Sequence, residues 1–270
     1  MLKKKIGIIG CGNMGEAILR GLHHKGMTKN IVVSETRPER RDFIKKTYGV
    51  EVEQDNKKLA SQVQVIILAV KPQELRGVLQ EISPALDSAT LLISVAAGAS
   101  LGTIASILDK GARLVRAMPN IAALALESAT ALAKGGEATK EDMEVAQEIF
   151  DALGKTVVIP EQLMDAVTGM SGSGPAYVCL FIEALADGGV RMGLPRKAAL
   201  DMAIQTVLGT ARLLTEQGEH PAHLKDKVSS PGGTTIAGIA ALEAKGFRGA
   251  VMEAVASATQ RSKELAKMQG

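Results

Sequence analysis

Residues 5–22 constrain the fold more than any other stretch. Lys5-Ile6-Gly7-Ile8-Ile9 is a short apolar run, Gly10-Cys11-Gly12-Asn13-Met14-Gly15 follows at once, and Glu16-Ala17-Ile18-Leu19-Arg20-Gly21-Leu22 has helical spacing. Strand, G-x-G-x-x-G turn and helix in that order open a βαβ unit. The first glycine permits the tight turn, the second lets backbone approach a pyrophosphate, and the third lets helix and strand pack closely. Without its flanks such a pattern says little. With them it points to a parallel, Rossmann-type sheet that binds a dinucleotide.

The alternation continues. Asn30-Ile31-Val32-Val33-Ser34-Glu35 reads as the second strand, ending in an acidic residue about twenty positions beyond the glycines. A carboxylate there suits the ribose 2′-hydroxyl of NAD, yet Ser34, Thr36, Arg37, Arg40 and Arg41 crowd the same turn and suit a 2′-phosphate; the residues leave NAD against NADP open. Gln64–Val70 is a fully apolar strand running into Lys71-Pro72, where Pro72 opens a helix over Gln73–Glu81 and holds Lys71 extended. Thr90–Val95 ends in Ala96-Ala97-Gly98, small enough for a flat ring to lie on backbone, and Ala112–Ala117 breaks at Met118-Pro119-Asn120. Ligands of open α/β sheets bind outside the carboxyl ends of the strands, so these loops should line one crevice. Leu126–Ala133 and Lys155–Ile159 read as further strands around a helix, Lys140–Leu153, with Thr139 as N-cap.

Pro160 closes this region, which predicts a dinucleotide-binding domain over 1–162 and an all-helical domain over 163–270. Pro175–Arg191 is apolar nearly all round and should be buried on most sides; a second helix follows Leu194-Pro195, and a third begins near Phe247. A helical unit of this size has more apolar surface than it can cover alone, which predicts a homodimer through the C-terminal helices. A net charge of +3 without basic runs argues against nucleic acid, and no uncharged apolar run reaches transmembrane length. The two cysteines, Cys11 and Cys179, lack metal spacing and fit a reduced cytoplasmic compartment.

One stretch of the helical half is unlike the rest: Ser229-Ser230-Pro231-Gly232-Gly233-Thr234-Thr235, ahead of small, apolar Ile236-Ala237-Gly238-Ile239-Ala240. A glycine-rich turn entering a helix aims several N–H groups outward at the positive end of the helix dipole, a cradle for a carboxylate or phosphate. The plainer reading is an ordinary helix start with Thr234 or Thr235 as N-cap. No catalytic dyad stands out; His220 and His223 flank another helix start, where capping or surface roles suffice.

Together these motifs resemble pyrroline-5-carboxylate reductases over essentially the whole chain. The least common elements are Asp165-Ala166-Val167-Thr168-Gly169-Met170-Ser171-Gly172-Ser173-Gly174-Pro175-Ala176-Tyr177, then Glu183–Val190 with Gly193-Leu194-Pro195, and His220-Pro221 leading to the serine–glycine–threonine turn. The resemblance implies hydride transfer from NADPH or NADH to C5 of a cyclic imine, giving L-proline. It implies cofactor contacts at Gly10, Gly12, Asn13, Met14, Gly15, Ser34, Glu35, Arg37, Asn56, Ala69, Val70, Lys71, Pro72, Val95, Ala96, Ala97 and Asn120. It implies substrate contacts at Ser230, Gly232, Gly233, Thr234 and Thr235, with Thr235 and Lys71 nearest the chemistry, and no metal. In the family the substrate segment comes from the partner subunit, and rings of dimers occur. Lys71 also reads as a plain solvent-facing residue. The sequence departs from the family at Ile121-Ala122, where Thr-Pro is common, at Lys227, where some relatives carry Asn, and at Glu35. Dehydrogenases of the 6-phosphogluconate or 3-hydroxyisobutyrate type share the layout, but they need a lysine early in the first long helix after the boundary, and Met164–Arg191 has none.

Overall fold

The computed structural model describes residues 4–108 and 111–269. β1 (Ile6–Ile9) leads through the glycine turn into α1 (Asn13–His24), followed by β2 (Ile31–Ser34), α2 (Pro38–Tyr48), β3 (Glu51–Glu53), α3 (Asn56–Ala60), β4 (Val65–Leu68), α4 (Pro72–Ile82), β5 (Leu91–Ser94), α5 (Leu101–Ile107) and β6 (Arg113–Met118). β7 (Ser128–Gly136), α6 (Lys140–Phe150) and β8 (Gly154–Val158) complete one sheet in the order β3-β2-β1-β4-β5-β6-β7-β8. The first six strands run parallel, β7 is antiparallel to β6, and β8 is parallel to β7. This is the α/β, doubly wound architecture expected.

Every residue of β1, β2, β4 and β5 is buried, because helices cover both faces of the sheet; that is why these strands read as continuous apolar runs. On one face Ile6, Ile8, Val33, Val65, Ile67 and Ile93 pack with Ile18 and Leu22 of α1 and Ile149 and Phe150 of α6. On the other, Ile9, Val32, Ile66, Leu68 and Leu92 meet Leu59 of α3, Leu75 and Leu79 of α4 and Ile104 of α5.

Where the elements differ from expectation the cause is local. The expected helix over Lys140–Leu153 stops at Phe150. Its start carries the anticipated Thr139 cap with Asp142 bonding back, but Leu153 must turn to accept from the Ser128 N–H at 2.7 Å, and Gly154 (φ 150°) then begins β8 against Ser128. The strand expected from Leu126 begins two residues later, because Leu126 (φ 59°) closes a 3-10 turn over Ile121–Ala125. β3 had no sequence signal. It is three residues long with glutamates at both ends, held at the sheet edge by Lys5–Glu51 (3.5 Å) and Lys58–Glu53 (2.7 Å) pairs, and charge at an edge strand discourages pairing with other chains.

The chain forms two compact units, Met1–Ser173 with Ser257–Gly270, and Gly174–Ala256. The first unit adds α7 (Met164–Val167) and a π-helical turn, Thr168–Gly172, to the sheet; the Ser262 hydroxyl donates to the Asp165 carboxylate at 2.7 Å. The second contains α8 (Gly174–Arg191), α9 (Arg196–Gln217), α10 (Pro221–Lys227), α11 (Thr234–Ala244) and the start of α12 (Phe247–Gln269). Its fully buried core is only Ala186, Ala199 and Ala203, with Gly189 letting α8 approach Ala199 closely. The expectation that α8 is buried on most sides is therefore not met within one chain. Packing against α9 covers one stripe, and Val178, Leu180 (67% exposed), Phe181 and Leu185 stay open. Among the described residues no helix is long and apolar enough to cross a membrane.

Candidate active site

The parallel registers Ile9↔Ser34, Ile9↔Leu68, Leu68↔Ser94 and Ser94↔Arg116 bring the carboxyl ends of β2, β1, β4, β5 and β6 to one edge. At its centre the three glycines are used in three ways. Gly10 takes φ +85° and donates its N–H to the Ser34 carbonyl at 2.9 Å, packed so closely on Ala69 and Val70 that no side chain fits. Gly15 lies against the Gly10 carbonyl, so a Cβ there would overlap it. Gly12 is the N-cap of α1, and nothing lies within 4 Å of the place a Cβ would occupy. That opening, with the first-turn N–H groups of α1 at Asn13 and Met14 behind it, fits a pyrophosphate.

Beyond β2 a charged network fixes the turn. Glu35 is 5% exposed; its carboxylate accepts from the Arg37 N–H, Nε and Nη2, each at 3.0 Å, and from the Cys11 N–H at 3.3 Å. Burial pushes the carboxyl up, but the Arg37 bonds and charge outweigh it and leave it at about 2. Arg40 Nε donates to the Cys11 carbonyl at 2.9 Å and its Nη2 pairs with Glu16, which also accepts from the Tyr48 hydroxyl at 2.9 Å. Arg41 donates to the Glu35 and Thr36 carbonyls. Ser34 is buried and donates to Asn56 Oδ1 at 2.7 Å, and Asn56 Nδ2 donates to Glu81 at 2.8 Å, so these two cofactor candidates face each other. Burial raises the Cys11 thiol to about 12, despite the nearby Arg40 charge, which makes it inert.

The neighbouring loops complete the edge. Ala69 donates to the Ile9 carbonyl at 2.9 Å and Val95 to that of Leu68 at 3.2 Å, so Ala69-Val70 and Val95-Ala96-Ala97 sit directly beyond β4 and β5. Ala96 is buried, while Ala97 is exposed. Lys71 is extended (φ −65°, ψ 149°) ahead of Pro72, exposed, and in no ion pair among the described residues. Asn120 is engaged at three points. Its N–H donates to Ser128 Oγ (3.1 Å), its Oδ1 accepts from Ala122 N–H (3.2 Å), and its Nδ2 donates to the Ser171 carbonyl in the π-helical turn (3.1 Å). That last link ties the β6 loop to residues far away in sequence, and no short-range pattern signals it.

In the helical unit, Ser230-Pro231-Gly232-Gly233 forms a β-turn with Gly232 at φ +67° and the Gly233 N–H donated to the Ser230 carbonyl at 3.0 Å. Proline second and a positive-φ glycine third is the type II signature. Gly233 is the N-cap of α11 without a side-chain bond, so neither Thr234 nor Thr235 caps the helix as the plainer reading had it. The Gly233 N–H serves the turn, and the groups left by helix geometry are those of Thr234, Thr235 and Ile236, the last of which the sequence reading missed. The Ser230 hydroxyl lies against Gly233 where no Cβ fits. His220 caps α10, its Nδ1 accepting from Ala222 N–H at 3.2 Å.

A doubly wound sheet with this glycine turn at the carboxyl edge of its strands places the chain among dinucleotide-binding proteins, and the comparisons with known proteins make it a nicotinamide-dinucleotide-dependent oxidoreductase. Residues 5–98 match the family described as NADP oxidoreductase, coenzyme F420-dependent, and residues 161–265 match that of pyrroline-5-carboxylate reductase dimerisation. The chain is 48% identical to the pyrroline-5-carboxylate reductase of Methanosarcina acetivorans, over 99% of this chain and 100% of that one, and 51% identical to that of Synechocystis sp., over 97% and 98%. Among solved structures, the pyrroline-5-carboxylate reductase of Coxiella burnetii superposes with a TM-score of 0.95 at 35% identity, covering 98% of this chain and 99% of that one. The Plasmodium falciparum enzyme, solved with NADP bound, gives 0.85 at 32% identity, covering 98% and 99%. The chain belongs to the pyrroline-5-carboxylate reductase family.

Proposed function

We propose that this protein reduces 1-pyrroline-5-carboxylate to L-proline, the last step of proline biosynthesis, with NADPH or NADH as the reductant. The observation that carries the reading is the turn at Ser230–Gly233. Its helix start leaves the N–H groups of Thr234, Thr235 and Ile236 open for a small carboxylate, on a chain that also carries the glycine turn suited to a dinucleotide. The bound reduced dinucleotide supplies a hydride from C4 of its nicotinamide.

The protein's part is binding and alignment. The N–H groups of Thr234, Thr235 and Ile236, with the Ser230 and Thr235 hydroxyls, hold the substrate carboxylate, and the Thr235 hydroxyl also bonds the ring nitrogen. Gly12 and the start of α1 hold the pyrophosphate. Val95, Ala96 and Ala97 give the nicotinamide a flat seat, and Lys71 sets a positive charge at that edge. A protonated imine is already a strong electrophile, so two aligned reactants in a site closed to water suffice without an acid–base dyad. The exposed apolar faces of α8 and α9 support a homodimer through the C-terminal helices, from which larger rings could be built, and a substrate segment supplied across that interface makes dimerisation a condition of turnover. A cytoplasmic location belongs to the same reading.

The test is the loss of NADPH or NADH absorbance with purified protein and pyrroline-5-carboxylate, with proline measured as product. Oxidation with matching proline is expected. Ser230→Ala and Thr235→Val should each raise KM for the imine about 10- to 150-fold, the worth of one hydrogen bond to a charged group. A folded, dimeric protein that oxidises neither cofactor would overturn the assignment, and a monomeric variant with full activity would overturn the need for a dimer.

A further inference from the structure

Arg116 lies in β6 with only 6% of its surface exposed. Its neighbours Val115 and Ala117 join the α1 and α6 side of the core and Leu114 joins the other, so by strand alternation Arg116 enters that second, apolar side. A guanidinium there is costly unless paired, and an apolar side chain of similar size would fill the space without that cost. Its Nη1 donates to Glu161 Oε1 at 3.3 Å, and the same oxygen accepts the Leu101 N–H at 2.6 Å. The Glu161 side chain is a quarter exposed and belongs to the turn Glu161–Leu163 that follows Pro160.

Leu101 is the first residue of α5, and the loop Val95–Ser100 joins it to β5. Both ends of that loop are held from paired strand positions, because Ser94 and Arg116 are partners in the parallel register of β5 and β6. At the start the Ser94 hydroxyl accepts the Ala96 N–H at 3.3 Å, beside the bond from Val95 to the Leu68 carbonyl. At the end Arg116, through Glu161, holds the Leu101 N–H. Between them Ala96 and Ala99 are buried, Gly98 turns the chain at φ +80°, and Ala97 stays exposed. The Ser100 hydroxyl accepts from the Thr103 N–H at 3.0 Å, a bond internal to α5, whereas Glu161 reaches the loop from 60 residues away. The alanines carry no polar side chain, so bonds at the two ends set the tilt of this surface.

We propose that Arg116 and Glu161 are positioning residues: Arg116 steers the Glu161 carboxylate onto the Leu101 N–H, and that bond fixes the Val95–Ser100 loop as the seat of the nicotinamide. Both act through the loop. The inference rests on the proposed function only in taking this loop to receive the nicotinamide.

The experiment compares the full-length protein with Arg116→Met, Glu161→Leu and the double variant. The double variant leaves no unpaired buried charge, and apolar replacement of a whole buried pair is often neutral, so it carries the test where a single variant does not fold. Calorimetry pairs each dinucleotide with the same molecule lacking its nicotinamide: NADPH with 2′-phospho-ADP-ribose, and NADH with ADP-ribose. The variants should hold the fragments within about twofold of wild type and lose at least about threefold on the dinucleotides. A misplacement of about 1 Å costs about 100-fold, so kcat with the imine should fall at least about tenfold while KM for the imine stays within about threefold. The two residues act as a unit, so the double variant should lose no more than about threefold beyond either single one. The contact uses one guanidinium nitrogen, so Arg116→Lys should recover at least about threefold in kcat over Arg116→Met. Fragments and dinucleotides weakened alike would overturn the proposal, and so would a lower Tm with kcat, KM and binding unchanged. A protein that gives the binding pattern yet fails to reduce the imine would refute the reductase reading and leave the seat standing.

Discussion

The glycine turn makes a prediction that separates its architecture from its ligand chemistry. Gly15→Ala places a methyl inside the Gly10 carbonyl oxygen, so strand and helix must move apart. Overpacking of this kind costs about 1–3 kcal/mol. Gly12→Ala meets nothing within 4 Å and keeps an allowed φ of −72°, so its only folding cost is a poorer N-cap, under about 1 kcal/mol. For ligand binding the order reverses. The methyl at position 12 fills the space a pyrophosphate needs, and losing one charge-assisted hydrogen bond of about 1.5–3 kcal/mol weakens affinity about 10- to 150-fold. Thermal unfolding without ligand, at one protein concentration because assembly shifts Tm, should therefore show Gly15→Ala lower by about 3–10 °C and Gly12→Ala within about 3 °C of wild type. Calorimetry with NADPH should show Gly12→Ala binding at least tenfold more weakly. If Gly12→Ala unfolds as early as Gly15→Ala, or binds NADPH like the wild type, the assignment of roles within the turn is wrong.

Three further outcomes follow from single contacts. Glu35 has a folded pKa of about 2 against an ordinary 4.5, so its ionised form favours the fold; that contribution is whole above pH 4.5 and is lost as pH falls through 2. Circular-dichroism titration should find Glu35→Gln flatter than wild type across that window, while Glu16 and Asp142, also lowered, keep part of the slope in both. In a Cys179→Ser background, Cys11 should stay unmodified by a thiol reagent at pH 8 and react fully in denaturant; rapid labelling of the native protein would contradict its burial. Ser262→Ala leaves Asp165 without its hydroxyl partner and should cost about 1–2 kcal/mol, with faster hydrogen exchange confined to the C-terminal end of α12 and to α7.

The parts of this fold that were legible in the sequence are those written in short-range chemistry. Gly10, Gly12 and Gly15 announce their roles by spacing, Thr139 announces a cap, and the unbroken apolar runs of β1, β4 and β5 announce burial on both faces. β3 was silent because its two glutamates answer to an edge and to lysines elsewhere, not to a period of two. The difficulty at Glu35 was of another kind. The residue type suits a ribose reader, whereas its hydrogen bonds to Cys11 and Arg37 carry no short-range signal, the Cys11 contact spanning 24 positions. Likewise the Ser230 turn was visible as a proline–glycine pattern, whereas the transfer of the Gly233 N–H to the turn, which shifts the open donors one residue along to Ile236, depends on how the turn meets the helix and has no residue-type signal. α8 shows the converse limit: its apolar residues state that something must cover them without stating what.

The first unit closes only with Ser257–Gly270, a segment made after the whole of Gly174–Ala256, and the Ser262–Asp165 bond is one of its fastenings. During synthesis on the ribosome the sheet can therefore form early, but its final helix emerges after the whole of the second unit has been translated. The dinucleotide-binding unit is begun before the second unit and completed after it. Proteolytic clipping within residues 257–269 would thus strike the unit whose sheet was made before the second unit began.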